Sequence, residues 1–142
     1  MGPMAQIEMM VFLQGVDLFA HCNAEEVLRL AAIATEQSYD KGAVIFRRDD
    51  PADSLYCVVE GRVGLDVNGD AGPVIGANGR FGVLDILSGR TRLAEATALS
   101  DVRLLVIEAE DFFDLLSNNI EIVRALFQTV IALSDRGDDR LL

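Results

Sequence analysis

The chain has few basic residues, almost no histidine, and no long apolar run. Its 142 residues carry 12 Lys and Arg against 23 Asp and Glu, a formal net charge of −11. A protein that grips a phosphate backbone needs clustered cations, so nucleic acid is not an expected partner. The same deficit disfavours docking on an anionic membrane surface. The acids are scattered rather than gathered in a run, which is the pattern of a solvated surface and not of an acidic tail. One histidine, His21 beside Cys22, is too little for a metal site, and the two cysteines, Cys22 and Cys57, have no metal-type spacing. Cys57 lies in an apolar run and reads as a buried reduced thiol. No apolar stretch approaches the roughly 18 residues of a spanning helix. Met9 to Leu13 is too short for a signal peptide and has no basic leader, so a cytoplasmic location is expected. Met1-Gly2-Pro3 resembles an expression remnant. G-x-S-x-G and G-x-x-x-x-G-K motifs are missing, and the carboxylate pairs Asp49-Asp50 and Asp138-Asp139 fall where solvation explains them. The expectation is a protein that is not an enzyme, with no metal or cofactor.

What is present fits one globular domain: 51% of the residues are hydrophobic and 25% charged. Ala5 to Gln14 places Ile7, Met10, Val11 and Gln14 at helical spacing. Asn23 offers an N-cap, with Glu25 and Glu26 in the first turn of a second helix. Val27, Leu28, Leu30, Ala31 and Ile33 would be that helix's core-facing side. From Thr35 short runs rich in Val, Ile, Leu, Phe and Tyr alternate with turn signals at Lys41-Gly42, Asp50-Pro51, Glu60-Gly61, Asn68-Gly69, Gly72-Pro73 and Asn78-Gly79. That spacing predicts an antiparallel sandwich or barrel. The expected strands are Ala43 to Phe46, Ser54 to Val59, Arg62 to Val67, Val74 to Ala77, Leu93 to Ala98 and Val102 to Ile107. Asn68-Gly69 is the strongest hairpin signal, because both central positions want positive φ. After Glu108 the helical period returns, and Ile120 to Leu133 shows only a narrow polar stripe of Glu121, Arg124 and Gln128. Its broad apolar face has three readings: packing on the barrel, a lid over a pocket, or an interface. Ser134 to Leu142 reads as a polar tail. A single domain over residues 5–134 is predicted.

The segment Phe81 to Ala98, FGVLDILSGRTRLAEATA, resembles the phosphate-binding cassette of cyclic-nucleotide-binding domains. Phe81, Gly82, Leu84, Arg92, Ala94 and Ala98 stand at the positions that family prefers. LFAHCNAEEVLRLA is similar to the family's first helical segment, YDKGAVIFRRDDPADSLYCVVEGRVGL to its first hairpins, and LSDVRLLVIEAEDFFDLL to its closing strand and following helix. The resemblance implies a mainly β fold: a jelly-roll-like antiparallel β-barrel (a double-stranded β-helix) with N- and C-terminal α-helices. It also implies a ligand, cyclic AMP or cyclic GMP, held in the roll. Gly82 would let the backbone approach it. Leu84, Asp85, Ile86 and Leu87 would form a short helix with N–H groups aimed at the phosphate. Arg92 would make a charge-assisted contact to the phosphate, and Leu93 an apolar wall for the base.

Three positions depart from the family. Val83 replaces the Glu that accepts from the ribose, an interaction worth roughly 1.5–3 kcal/mol, or about ten- to a hundredfold in affinity. Glu95 replaces a Thr or Ser, and Asp85 an Ala, so two acids join a site built for an anion. Arg92 therefore reads either as a phosphate ligand or as one half of an ion pair with Glu95 or Asp85, and Val83 as a core residue filling the space of an absent ligand. Two functions follow from the resemblance. One is a regulatory domain that senses a nucleotide-like anion, weakly or in altered form, and relays it through its C-terminal helices. The other is an interaction module that keeps the fold without the ligand. A neighbouring effector domain, or self-association through Ile120 to Leu133, would be the partner.

Overall fold

The computed structural model describes residues 3–135. Two helices, α1 (Gln6–Gln14) and α2 (Ala24–Ala32), flank a short 3-10 turn at Asp17–Phe19. Strands β1 (Ala34–Tyr39), β2 (Val44–Phe46), β3 (Ser54–Glu60), β4 (Val63–Val67), β5 (Asp70–Ile75) and β6 (Arg80–Phe81) follow. A short helix, α3 (Val83–Ser88), separates them from β7 (Glu95–Ala98) and β8 (Val102–Glu108), and the helices α4 (Ala109–Ser117) and α5 (Ile120–Asp135) close the chain.

Two antiparallel four-stranded sheets, ordered β1-β8-β3-β6 and β2-β7-β4-β5, make a jelly-roll-like body. They face each other as a roll and do not close into the expected barrel. Four edges remain, at β1, β6, β2 and β5.

The run Val102–Glu108 shows why the first sheet reads as almost continuously apolar. Successive side chains of a strand point to opposite faces. Leu104 and Val106 enter the interior of the roll beside Phe46, Tyr56, Val58 and Phe81. Leu105 and Ile107 enter a second cluster with Leu30, Phe112 and Leu126, where the helices cover the outer face of the sheet. A strand buried on both faces loses its polar alternation.

The local signals act as their chemistry dictates. Asn23 Oδ1 accepts from the Glu26 amide at 2.8 Å while Glu26 Oε1 accepts from the Asn23 amide at 2.8 Å, a reciprocal cap. Asn68 (φ 55°) and Gly69 (φ 80°) turn the β4–β5 hairpin with Val67 opposite Asp70. Two strands escaped the sequence. β1 is an edge strand whose only buried residue is Ala34, so it carries no apolar pattern, and β6 has just two residues. β5 begins at Asp70, ahead of the expected Val74, because the Asn68-Gly69 turn brings the chain straight back.

The expected faces of two helices are corrected. On α1, Ile7 and Val11 are exposed and Leu13 is the buried residue. On α2, Leu28 is exposed, while Val27, Leu30 and Ala31 are buried. α5 runs through Ser134 and Asp135, so the expected tail begins as helix; residues 136–142 and the first two residues of the chain lie outside the described part. α5 is held by buried Ile122, Ala125, Leu126, Thr129 and Leu133, and by a 2.9 Å hydrogen bond between Thr129 Oγ1 and His21 Nδ1.

Candidate functional site

The residues singled out in the sequence converge on α3 and the chain that follows it. Gly82 opens α3 at φ 81°, a left-handed conformation that glycine adopts without strain. A Cβ there would stand 2.7 Å from Arg92 Nη1 and 3.3 Å from the Ser54 carbonyl oxygen. The missing side chain is thus what admits the guanidinium.

Arg92 is 1% exposed, the largest fully buried side chain among the described residues. Its Nη1 donates to the Gly82 carbonyl at 3.1 Å and to Asp85 Oδ2 at 3.2 Å, and its Nη2 donates to the Ser54 carbonyl at 2.6 Å. The guanidinium carbon lies 4.2 Å from the centroid of the Phe46 ring and 5.7 Å from that of Tyr56. Tyr56 stacks on Phe81 with centroids 4.9 Å apart. Tyr56 is accordingly a core residue, and burial pushes its phenol pKa up despite the nearby Arg92. Arg92 Nε is buried with no hydrogen-bond partner among the described residues.

Asp85 is 4% exposed and bridges two cations: Oδ1 accepts from Arg90 Nε at 2.8 Å, and Oδ2 from Arg92. Arg90 is two-thirds buried and acts as Asp85's second partner. Asp53 stands at the edge of the group, its Oδ1 3.9 Å from Arg92 Nη2 and its side chain exposed.

Two expectations are corrected. Glu95 does not pair with Arg92. Residues 92, 94, 96 and 98 are buried while 93, 95 and 97 are not, so the extended chain turns position 95 away from position 92. Glu95 pairs instead with Arg47 at 3.5 Å. Val83 does not fill space inside the roll; it is 1% exposed in the helix-side cluster, where α3 presents it to the helices. Leu93 is 43% exposed. Leu84 is half-buried on α3, between Val83 and Asp85. Phe46 and Ser54 were not legible as site residues, because Phe46 acts through its ring face and Ser54 through a backbone carbonyl, both far from the cassette in sequence. Arg80, buried on β6 with Asp17 at 3.2 Å, is a second inward arginine that pattern reading missed.

No group of three or more His, Cys, Asp or Glu suited to a metal ion occurs among the described residues. Nor is any described helix long and apolar enough to cross a membrane. Chemically, then, the site is a buried guanidinium with two carbonyl partners, one hydrogen-bonded carboxylate, an aromatic face and an Nε–H without an acceptor among the described residues.

The family model for the cyclic nucleotide-binding domain matches residues 36–119. A cyclic nucleotide-gated potassium channel of Rhizobium etli is 32% identical over 122 residues, covering 86% of this chain and 34% of the channel. The chain spans between 14% and 34% of the length of four curated relatives it matches. Among solved structures, the N-terminal domain of a transcriptional regulator from Streptomyces coelicolor superposes with a TM-score of 0.80 at 29% identity, covering 92% of this chain and 97% of that one. The regulatory domain of Toxoplasma gondii PKA with cAMP superposes with a TM-score of 0.75 at 21% identity, covering 84% and 48%, a likeness of fold.

Proposed function

This chain belongs to the cyclic nucleotide-binding domain family, and on that premise we propose that it is a regulatory domain whose cassette is held closed by its own carboxylate. The observation that carries this reading is the contact of Asp85 Oδ2 with Arg92 Nη1 at 3.2 Å. Asp85 presents to the guanidinium an anion of the kind that the phosphate of cyclic AMP or cyclic GMP would offer. A nucleotide competes with it for Arg92. Displacing one charge-assisted hydrogen bond weakens binding by about ten- to a hundredfold. The free Nε of Arg92 supports a ligand that still binds, because a buried donor without an acceptor is costly and an anion would satisfy it.

Residues 5–134 form the regulatory unit, acting in the cytoplasm, where its two free thiols stay reduced. Its role is regulatory and not catalytic. Opening of the Asp85–Arg92 pair would move α3, and α3 lines one cleft with α5 through Val83 and Leu87. α5 then has two positions of differing population. Ile120, Phe127 and Ile131 on α5 are 73%, 62% and 57% exposed. They are the surface that would pass the shift to a neighbouring effector domain or a second copy.

The second reading, a ligand-independent interaction module, draws on Arg92 being engaged by Gly82, Ser54, Asp85 and Phe46 together. Calorimetry separates the two. With cyclic AMP and cyclic GMP up to millimolar concentration, the natural protein gives weak heats and Asp85→Ala binds about ten- to a hundredfold more tightly. Heat from neither protein removes the ligand and leaves the interaction module.

A further inference from the structure

A cleft of about 130 Å³ lies where α3, α4 and α5 meet over the 3-10 turn. Each helix contributes residues spaced one turn apart: Val83 and Leu87 from α3, Phe112 and Leu116 from α4, and Phe127 with its neighbours from α5. All nine lining residues are Val, Leu or Phe. The cleft opens to solvent at its lips, so it is an apolar groove between helices and not an interior void. Water does not suit it, since a bound water needs two to four polar partners and the walls offer none. An ionic or strongly polar ligand is excluded for the same reason. Its volume is close to that of an engineered, enclosed apolar cavity of about 150 Å³ that takes up benzene, while this cleft is open on one side.

We propose that this cleft is a second binding site, distinct from the Arg92–Asp85 contact though it shares α3 with it, for a small uncharged apolar molecule about the size of benzene. The residue that couples it to the cassette is Val83, which follows Gly82 directly and lies two residues before Asp85. Its neighbour Leu87 is 41% exposed at one lip, and Phe127 is 62% exposed at the other. An occupant would hold α3 and α5 at their present separation and oppose closure of α5 onto the cassette helix. The site depends on the helix packing alone, so it stands whether or not a nucleotide binds at Arg92.

Benzene in aqueous buffer is the probe, followed by methyl carbon–proton NMR of the whole chain. The methyls of Val83, Leu116 and Val123 should shift saturably, those of Leu65 in the roll interior should not, and the melting temperature should rise with benzene concentration. Val123→Phe fills the cleft from α5 and should weaken benzene binding at least tenfold; Leu116→Phe does so from α4 and serves if the first variant folds poorly. No saturable shift up to the solubility of benzene would overturn the proposal. So would undiminished binding in both folded filled variants. Shifts of the same methyls with protein concentration alone would also overturn it, because the cleft would then be taken by a second copy.

Discussion

Arg92 and Gly82 have to be read together. A left-handed φ and a Cβ 2.7 Å from the guanidinium act in the same direction at position 82. Gly82→Ala should destabilise the domain by about 1–3 kcal/mol, combining backbone strain with displacement of Arg92. Urea denaturation measures it, and an unchanged midpoint would mean the turn tolerates a side chain after all. Val83 carries the opposite lesson. The resemblance implies a Glu at this position that accepts from a ribose. In the structure the position faces Val, Leu and Phe side chains between helices, where a carboxylate would be buried without a partner. Asp85, read both as an added negative charge and as one of two candidate partners for Arg92, is paired with Arg90 and Arg92.

At the scale of elements, β8 is the spine, pairing with β1 on one side and β3 on the other. Arg103 on β8 ties the three strands together, reaching Glu36 on β1 and Glu60 on β3, the latter at 2.7 Å. Glu36 also accepts from the Met4 amide at 3.1 Å. The hydrogen bonds from Arg103, then that from Met4, hold the Glu36 pKa below its ordinary 4.5. A carboxyl whose folded pKa is depressed contributes stability that is present above its unfolded pKa and lost as pH falls through the folded one. Stability should therefore fall on acidification from about pH 4.5 downward, and Glu36→Gln should flatten that fall while lowering stability at neutral pH. Thermal melts across pH 3–7 give the comparison; identical slopes for both proteins would remove Glu36 from the account. The edge strand β1 owes its place to this pairing and to Ala34, not to an apolar pattern of its own.

At the scale of the whole molecule, two clusters share one sheet, and Cys57 reports on their cohesion. It sits on β3 in the helix-side cluster, fully buried, and burial pushes its thiol pKa up to about 12. Cys22, half-buried at the start of α2, is pushed up to about 11 by burial and then by Glu26. Native protein at pH 8 should therefore show one slowly reacting thiol and one whose reaction waits for opening of the core. A disulfide reagent monitored with and without denaturant checks this. If Cys57 reacts as fast as Cys22, the helices do not seal the sheet as the structure has them.

Much of the architecture was legible because it rests on local rules. Asn23 with Glu26 caps a helix by side-chain geometry, Asn68-Gly69 fits a turn that needs two positive φ values, and the order of helices, short strands and helices needs no long-range information. The cassette was likewise visible as a string of residue types, since glycine, a short helix and an arginine are demanded by phosphate chemistry. What the string left open was direction. Whether Arg92 meets Glu95 or Asp85, and whether Val83 faces the roll or the helices, depends on which side of an extended or helical segment each residue occupies once both sheet faces are covered. The chain by itself determined the family, the roll and the presence of an inward arginine, because periodicity and turn chemistry act over a few residues. Only the packing of α3 against the helices and of Arg92 beneath Phe46 decided that Asp85 is the partner of that arginine, because burial turns a guanidinium's choice of carboxylate into a question of distance in space.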